Sequence, residues 1–282
     1  ARLLRELLAQ GALDYSLITG KLSVSAATIK ALEKQGILAV TSTRAYRNPV
    51  GKLDRTNCLH TLNDGQRKVV DTVIADMDAG VASTYLLMGV TGSGKTEVYM
   101  ELIAHVIAMG RQAIVLIPEI ALTYQTVMRF YNRFGDRVSI LNSRLSKGER
   151  FDQFERAKAG EIDIMIGPRS ALFTPFERLG LIIMDEEHET SYKSENAPRY
   201  HARDVAIERA GMCGASVVLG SATPSVDSYY RMCRGDYRFL ALSQRVDDKP
   251  LPQCEVVDMR KELAEGNRSI LSRRLDGLME QR

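Results

Sequence analysis

The 282-residue sequence has four cysteines, Cys58, Cys213, Cys233 and Cys254, and no two of them form a C-x-x-C pair. That spacing supports neither a disulfide framework nor a cysteine zinc site, and it suits a reducing cytoplasm. There is no secretory signal, and no apolar run reaches the ~18 residues of a membrane span, so a membrane partner is not expected. Charge of one sign is not in surplus either. Lys and Arg number 38 against 35 Asp and Glu, a net charge of +3. Such a balance neither demands nor excludes a nucleic-acid partner, because local clustering decides electrostatic binding. Internal repeats and low-complexity stretches are lacking as well.

What is present has the composition of an ordinary globular chain, 45% hydrophobic and 26% charged. The length exceeds one typical domain and predicts a large domain with a smaller companion, monomeric in solution. The start at Ala1 and the stop at Arg282, inside a charged amphipathic segment, are read as those of a piece of a longer polypeptide.

Residues 1–43 read as short helices. The clearest starts near Ser23, carries Ile29 and Leu32 on one face and stops at Gly36. A strand over Ile37–Thr41 is expected next. Three helices and a strand predict a small winged-helix domain over 1–45, whose third helix can enter a DNA groove or serve as a spacer. Asn48-Pro49 and Gly51 mark a linker over 46–60.

From Leu62 onward apolar strands alternate with amphipathic helices. The strands are Thr84–Met88, Ala113–Ile117, Ser139–Leu141, Ile162–Ile166, Leu181–Met184 and Ser216–Leu219. Continuous apolar strands separated by helices mean a parallel sheet covered on both faces, an α/β fold. This domain is expected over 61–230. Residues 231–282, with Phe239–Leu242 and Glu255–Asp258 as further candidate strands and a final helix, would lead onward from it.

Three motifs carry the chemistry. Gly89-Val-Thr-Gly-Ser-Gly-Lys-Thr96 matches G-x-x-x-x-G-K-[ST] directly between a strand and an apolar-periodic helix, the setting of a P-loop NTPase (RecA-like) sheet. The backbone N–H groups of Gly89, Val90, Thr91, Gly92, Ser93 and Gly94 can close around phosphate oxygens at the helix N-terminus. Lys95 would reach the β- and γ-phosphates of ATP, and Thr96 would ligate Mg²⁺. Leu181-Ile-Ile-Met-Asp-Glu-Glu-His188 ends an apolar strand in acids. Asp185 would hold the Mg²⁺ shell and Glu186 would polarise the attacking water. Taken alone, those acids could equally be a helix N-terminus favouring carboxylates. Gly220-Ser-Ala-Thr-Pro-Ser225 follows a third buried strand. Ser221 and Thr223 can bond to the acids or simply close a turn.

In this order the motifs resemble those of superfamily 2 helicases. Pro118-Glu-Ile-Ala-Leu-Thr-Tyr-Gln125, Ile166-Gly-Pro-Arg-Ser-Ala-Leu-Phe-Thr-Pro175, Asp185-Glu-Glu-His-Glu-Thr-Ser-Tyr-Lys193 and Tyr200-His-Ala-Arg-Asp-Val-Ala206 narrow the resemblance to the bacterial replication-restart helicases, the primosomal protein N′ (PriA) family. It covers residues 60–282, and more loosely the first 43. The resemblance implies an ATP-dependent 3′→5′ DNA helicase acting at stalled or branched forks. Single-stranded and forked DNA, single-strand-binding protein and primosome proteins would be its partners.

It also assigns roles. In Leu62-Asn-Asp-Gly-Gln66, Gln66 would read the adenine edge, while Asn63 can cap the helix. His188 would couple the nucleotide site to Ser221 and Thr223. Pro118, Glu119, Thr123 and Gln125, with Arg169 and Ser170, would lie along the DNA strand; a surface salt bridge is the other reading of Arg169. The loop bearing Tyr192, Lys193, Arg199, Tyr200, His201 and Arg203 would stack on bases and report to the ATP site, or be an ordered surface loop. Asn142, Arg144 and Pro168 depart from the family pattern on the DNA side.

No second motif set follows Ser225, and the family's arginine-finger pattern and paired zinc cysteines are missing. Zinc is therefore expected in the complete family member and not in this chain. An arginine finger is worth about 10³–10⁵ in turnover, so the chain alone is expected to bind ATP–Mg²⁺, hydrolyse it poorly and unwind nothing. The rival readings are an ATP-gated winged-helix DNA-binding regulator and a double-stranded DNA translocase that does not unwind.

Overall fold

The computed structural model describes residues 2–11, 13, 15–20, 24–40, 61–246 and 254–281. The chain divides into two compact units, Ala1–Arg47 and Asn48–Arg282. The linker expected over 46–60 lies outside the described residues.

In the first unit, α1 (Arg2–Gln10), α2 (Tyr15–Gly20) and α3 (Ala26–Lys34) bury Leu3, Ile18 and Ile29 together. Ser25, not Ser23, caps α3 by accepting from the Thr28 amide, and Gly36 supplies the positive φ of 70° just past its end. The strand expected over Ile37–Thr41 does not form across the described residues 37–40. Among the described residues no strand edge pairs with this stretch, and β-propensity alone does not make a strand.

The second unit is built on seven parallel strands in the order β3-β4-β2-β5-β6-β1-β7. They are β1 (Thr84–Gly89), β2 (Gln112–Leu116), β3 (Val138–Ile140), β4 (Ile164–Gly167), β5 (Leu179–Asp185), β6 (Ser216–Ser221) and β7 (Arg238–Leu242). The five central strands are apolar in their middles, with polar residues only at their ends, because both of their faces are covered. In β2, Ala113 and Val115 join the core under α4 (Asp64–Asp78), α5 (Lys95–Ala108) and Phe130 of α6 (Tyr124–Phe134). Ile114 and Leu116 point the other way, toward Ala157 of α7 (Lys147–Lys158) and the alanine stripe of α8 (Ala202–Cys213). Helix α9 (Val226–Cys233) follows β6.

Beyond β7, residues 254–258 have no regular structure, so the strand expected over Glu255–Asp258 is absent. Val256 is 96% exposed there. An apolar pair that finds no sheet edge to join stays unpaired. Helices α10 (Met259–Ala264) and α11 (Arg273–Glu280) complete the described chain. Among the described residues no helix is long and apolar enough to cross a membrane.

Because all seven strands run the same way, their carboxyl ends share one edge, where an open α/β sheet binds its ligands. Gly89, Leu116, Gly167, Asp185 and Ser221 end five of them. Strand register sets the motifs side by side: Asp185 pairs with Gly220 across β5 and β6, and Met88 pairs with Ser221 across β1 and β6.

Candidate nucleotide site and the strand-end cleft beside it

The loop after β1 turns on glycines. Gly92 and Gly94 sit at φ 80° and 79°, where an L side chain is strained. A Cβ on Gly94 would also overlap the Gln66 amide nitrogen, and one on Gly89 would stand 2.6 Å from Ser93 Oγ. Gly94 opens α5 without any side-chain cap. Helices α4, α6, α7, α8 and α9, by contrast, are capped by Asn63, Thr123, Ser146, His201 and Ser225. The first amides of α5 are thus left for an anion at the positive end of the helix. Ser93 Oγ is buried with no hydrogen-bond partner, a second polar group left over in the same turn.

Thr91, Gly92, Ser93 and Gly94 line a cleft of about 540 Å³ together with Gln66, Lys95, Thr96, Asp185 and Glu186. Lys95 is buried to 8% exposure, donates from Nζ to the Gly89 carbonyl at 3.0 Å and lies 3.8 Å from Glu186 Oε1. Glu186 holds φ 47°, alone among the described non-glycine residues in the left-handed region. Strain of this kind concentrates at functional sites. Burial, and then the charge of Glu186, raise the pKa of Asp185 above the usual carboxylate value. A divalent cation would relieve both effects.

The donor set fits Mg²⁺. Among the described residues no group of three or more His, Cys, Asp or Glu could hold a metal by itself. A hydroxyl and carboxylates facing a phosphate cradle are what a hard ion shared with phosphate oxygens requires. Gln66 is buried against the same cleft. Its Oε1 accepts from the Asn63 amide at 2.9 Å, in a full capping box, and its Nε2 donates to Ser93 O at 2.8 Å. The cap and the place beside the cleft therefore hold together.

Each residue of the acid loop has its own partner. Asp185 Oδ1 accepts from Tyr99 Oη at 2.9 Å. His188 Nδ1 lies 2.7 Å from Ser221 Oγ and 3.7 Å from Glu186 Oε2, and the Thr223 amide donates to the same Ser221 oxygen at 3.0 Å. Glu187 has no exposed side-chain surface and accepts from Ser225 N at 2.6 Å and Ser228 Oγ at 2.8 Å. Arg203 Nη1 approaches Glu187 at 3.6 Å and donates to Ser225 and Ser228.

Two residues expected to face DNA are placed otherwise. Tyr192 is 1% exposed, its hydroxyl donating to the carbonyls of Leu116 and Asp185. A ring held that way inside the core cannot stack on a base. Arg203 is 5% exposed and spends its guanidinium on Glu187, Ser225 and Ser228. It ties the acid loop to α9. Breaking a buried pair of this kind costs about 3–5 kcal/mol. Glu187→Ala is therefore expected to lower the denaturant midpoint sharply, and adding Arg203→Ala should cost much less than the sum of the two. Equal, additive losses would remove the pair from the account.

The other residues expected on the DNA side lie mostly along the same edge. Pro118, Glu119, Arg169 and Ser170 line a second cleft of about 350 Å³ with Asn142 and Arg150. The Ser143 side chain, then the Ser143 amide that donates to Glu119 at 3.0 Å, then Arg150 and Arg144 hold the Glu119 pKa down. Glu119 ties the β2 and β3 loops together. Asn142 caps that turn by accepting from Arg144 and Leu145, and Pro168 opens the 3-10 turn Arg169–Phe173. Arg169 donates to the carbonyls of Ser191 and Lys193 at 3.2 and 2.5 Å and lies 5.7 Å from the Tyr200 ring. The surface salt bridge considered for it gives way to these backbone bonds.

Thr123 caps α6, Gln125 is exposed, and Lys193 and Arg199 are exposed. His201 caps α8, its pKa lowered by burial and then by Arg203. Tyr99, Glu187 and the cleft residues Arg129 and Val246 are absent from the residues singled out by sequence. Tyr99 and Arg129 sit in helices whose apolar period explains them equally well as core and surface.

The model of the DEAD/DEAH box helicase family matches residues 63–232. The chain is 47% identical over 253 residues to the replication restart protein PriA of Bacillus subtilis (strain 168), covering 89% of the chain and 31% of that protein. With the PriA of Synechocystis sp. it shares 42% over 256 residues, 89% of the chain and 30% of the relative. It thus spans about three-tenths of the length of these curated relatives. A structure of RecG bound to a three-way DNA junction superposes with a TM-score of 0.50 at 22% identity, over 74% of the chain and 29% of the other, a likeness of fold. With more than half of its residues matched and the acid, phosphate and Ser-Ala-Thr loops along one sheet edge, the chain belongs to the DEAD/DEAH box helicase family, and among its members it resembles the replication restart proteins.

Proposed function

We propose that the chain supplies the nucleotide-binding first lobe of an ATP-driven 3′→5′ DNA helicase working at stalled or branched replication forks in replication restart. The observation that carries the reading is the shared cleft, in which Lys95 Nζ stands 3.8 Å from Glu186 Oε1 below a helix start with no side-chain cap. In this reading residues 61–230 form the lobe, 231–282 lead onward, 46–60 link it to the amino-terminal unit, and 1–45 are a winged-helix-like remnant.

The loop amides from Gly89 to Gly94 hold the phosphates, and Gln66 faces the adenine end of the cleft. Lys95 neutralises charge at the β- and γ-phosphates. Thr96 and Asp185 hold Mg²⁺, which when bound supplies positive charge to the phosphate oxygens. Glu186 takes the proton of the attacking water. His188, bonded to Ser221, carries the change at Glu186 toward Thr223 and the strand-end cleft, where Arg169 and Ser170 with Thr123 and Gln125 meet single-stranded DNA through its backbone. Lys193, Arg199, Tyr200 and His201 lie on the loop beside that path. Forked DNA, single-strand-binding protein and primosome proteins are the partners of the complete protein, which works in the cytoplasm.

ATP turnover of the full-length protein, measured with and without single-stranded DNA, tests the reading. DNA is expected to raise the rate severalfold. A rate unmoved by DNA would end the motor reading, and duplex binding that survives loss of the phosphate loop would favour the regulator instead.

A further inference from the structure

Tyr99 lies on the second turn of α5, behind the phosphate loop, and is 1% exposed. Its side chain does what no other apolar-face residue of that helix does: it crosses beneath β6 to donate a hydrogen bond from Oη to Asp185 Oδ1 at 2.9 Å. Gly220, the last residue but one of β6 and the register partner of Asp185, makes the crossing possible, since a Cβ there would overlap the phenol oxygen. One hydroxyl thus touches the helix of the phosphate loop, the acid strand end and the glycine of the third motif. Burial and the two acids push the Tyr99 pKa well above its usual value, so the phenol stays a donor at any working pH.

We infer that Tyr99 is a positioning residue for Mg²⁺: it fixes one oxygen of Asp185, so that the carboxylate meets the cation in a set orientation, and Gly220 is glycine to leave room for it. A carboxylate at a strand tip can otherwise rotate about its last bond. Groups that orient a metal-binding carboxylate are worth about 10–100-fold in metal affinity. The inference rests on the nucleotide reading of the cleft and adds a residue to it.

The test is the Mg²⁺ dependence of binding a fluorescent ATP analogue to the full-length protein, wild type against Tyr99→Phe, with a parallel titration in chelator. Phenylalanine keeps the ring and the packing and removes only the donor. The expected result is a rise of about 10-fold or more in the Mg²⁺ needed for half-maximal binding. Binding in chelator should stay equal to wild type, as should the melting temperature to within a few degrees. Placed on Asp185→Asn, Tyr99→Phe should add nothing further.

A wild-type Mg²⁺ dependence in a folded Tyr99→Phe protein overturns the inference. So does a loss of the same factor with and without Mg²⁺, which would mark a merely structural ring. Failure of Tyr99→Phe to fold overturns it too, and Tyr99→Leu then reports whether packing alone was at stake. Wild-type binding that takes no account of Mg²⁺ overturns it as well, whereas a wild-type protein that binds no analogue with or without Mg²⁺ would sink the nucleotide reading itself.

Discussion

Lys95→Ala is expected to remove nucleotide-dependent stabilisation and to lower ATP turnover by about 10²–10³, the loss seen when one electrostatic donor is taken from a preorganised site. The geometry explains why so much rests on one amine. Among the described residues that line the cleft, Lys95 is the cation within 4 Å of Glu186, and it is held at 8% exposure by the Gly89 carbonyl. In so dry a place a positive charge acts on phosphate with little screening by solvent. Its removal also leaves Glu186 facing an incoming triphosphate without the ammonium that stands 3.8 Å from it. Thermal melting gives the direct readout. A ligand at a hundred times its Kd adds about 2.7 kcal/mol to folding stability, so ATP–Mg²⁺ should raise the melting temperature of the wild type by several degrees. The alanine variant should melt at one temperature with or without nucleotide. A nucleotide-induced shift as large as that of the wild type would show that the amine grips no phosphate.

The difference between what could be read from the sequence and what could not follows from the range of each signal. The phosphate loop, the acid strand end and the Ser-Ala-Thr turn are local patterns, each a buried strand followed by residues costly to place there. Strand type and order of appearance were legible for the same reason, with boundaries moved by one or two residues: β2 begins at Gln112 and β6 runs on to Ser221. What failed depended on partners far along the chain. Glu255–Asp258 and Ile37–Thr41 have strand-like composition, yet the described residues of both lack a neighbouring edge. Tyr192 and Arg203 have the residue types of a nucleic-acid loop. The first instead meets Leu116, 76 positions away, and the second meets Ser228, 25 positions away. Tyr99 reads as one more apolar position of α5, and its bond to Asp185 spans 86 positions. Whether a polar atom in an aromatic or an arginine looks inward is decided by packing, and single-sequence patterns do not carry that.

Glu186→Gln separates binding from chemistry where Lys95→Ala removes both. The carboxylate is one-third exposed, 3.8 Å from Lys95 Nζ and 3.7 Å from His188 Nδ1, on a backbone held at φ 47°. That left-handed turn swings Glu186 into the cleft while Glu187, the next residue, goes into the core beneath Ser225 and Ser228. Glutamine preserves the shape and the contact to the lysine side but cannot accept a proton from water. General-base catalysis is worth about 10²–10⁴, so turnover by the full-length protein should fall within that range. Affinity for ATP–Mg²⁺ should hold or rise, because one negative charge near the γ-phosphate is gone. Single-turnover hydrolysis alongside equilibrium binding distinguishes the two effects. Unchanged hydrolysis with weakened binding would move Glu186 from the chemical step to the metal shell, and leave the proton to another group. His188 would be the first to examine, since it shares Ser221 with the Thr223 amide and so stands between the acids and the loop that leads to the strand-end cleft.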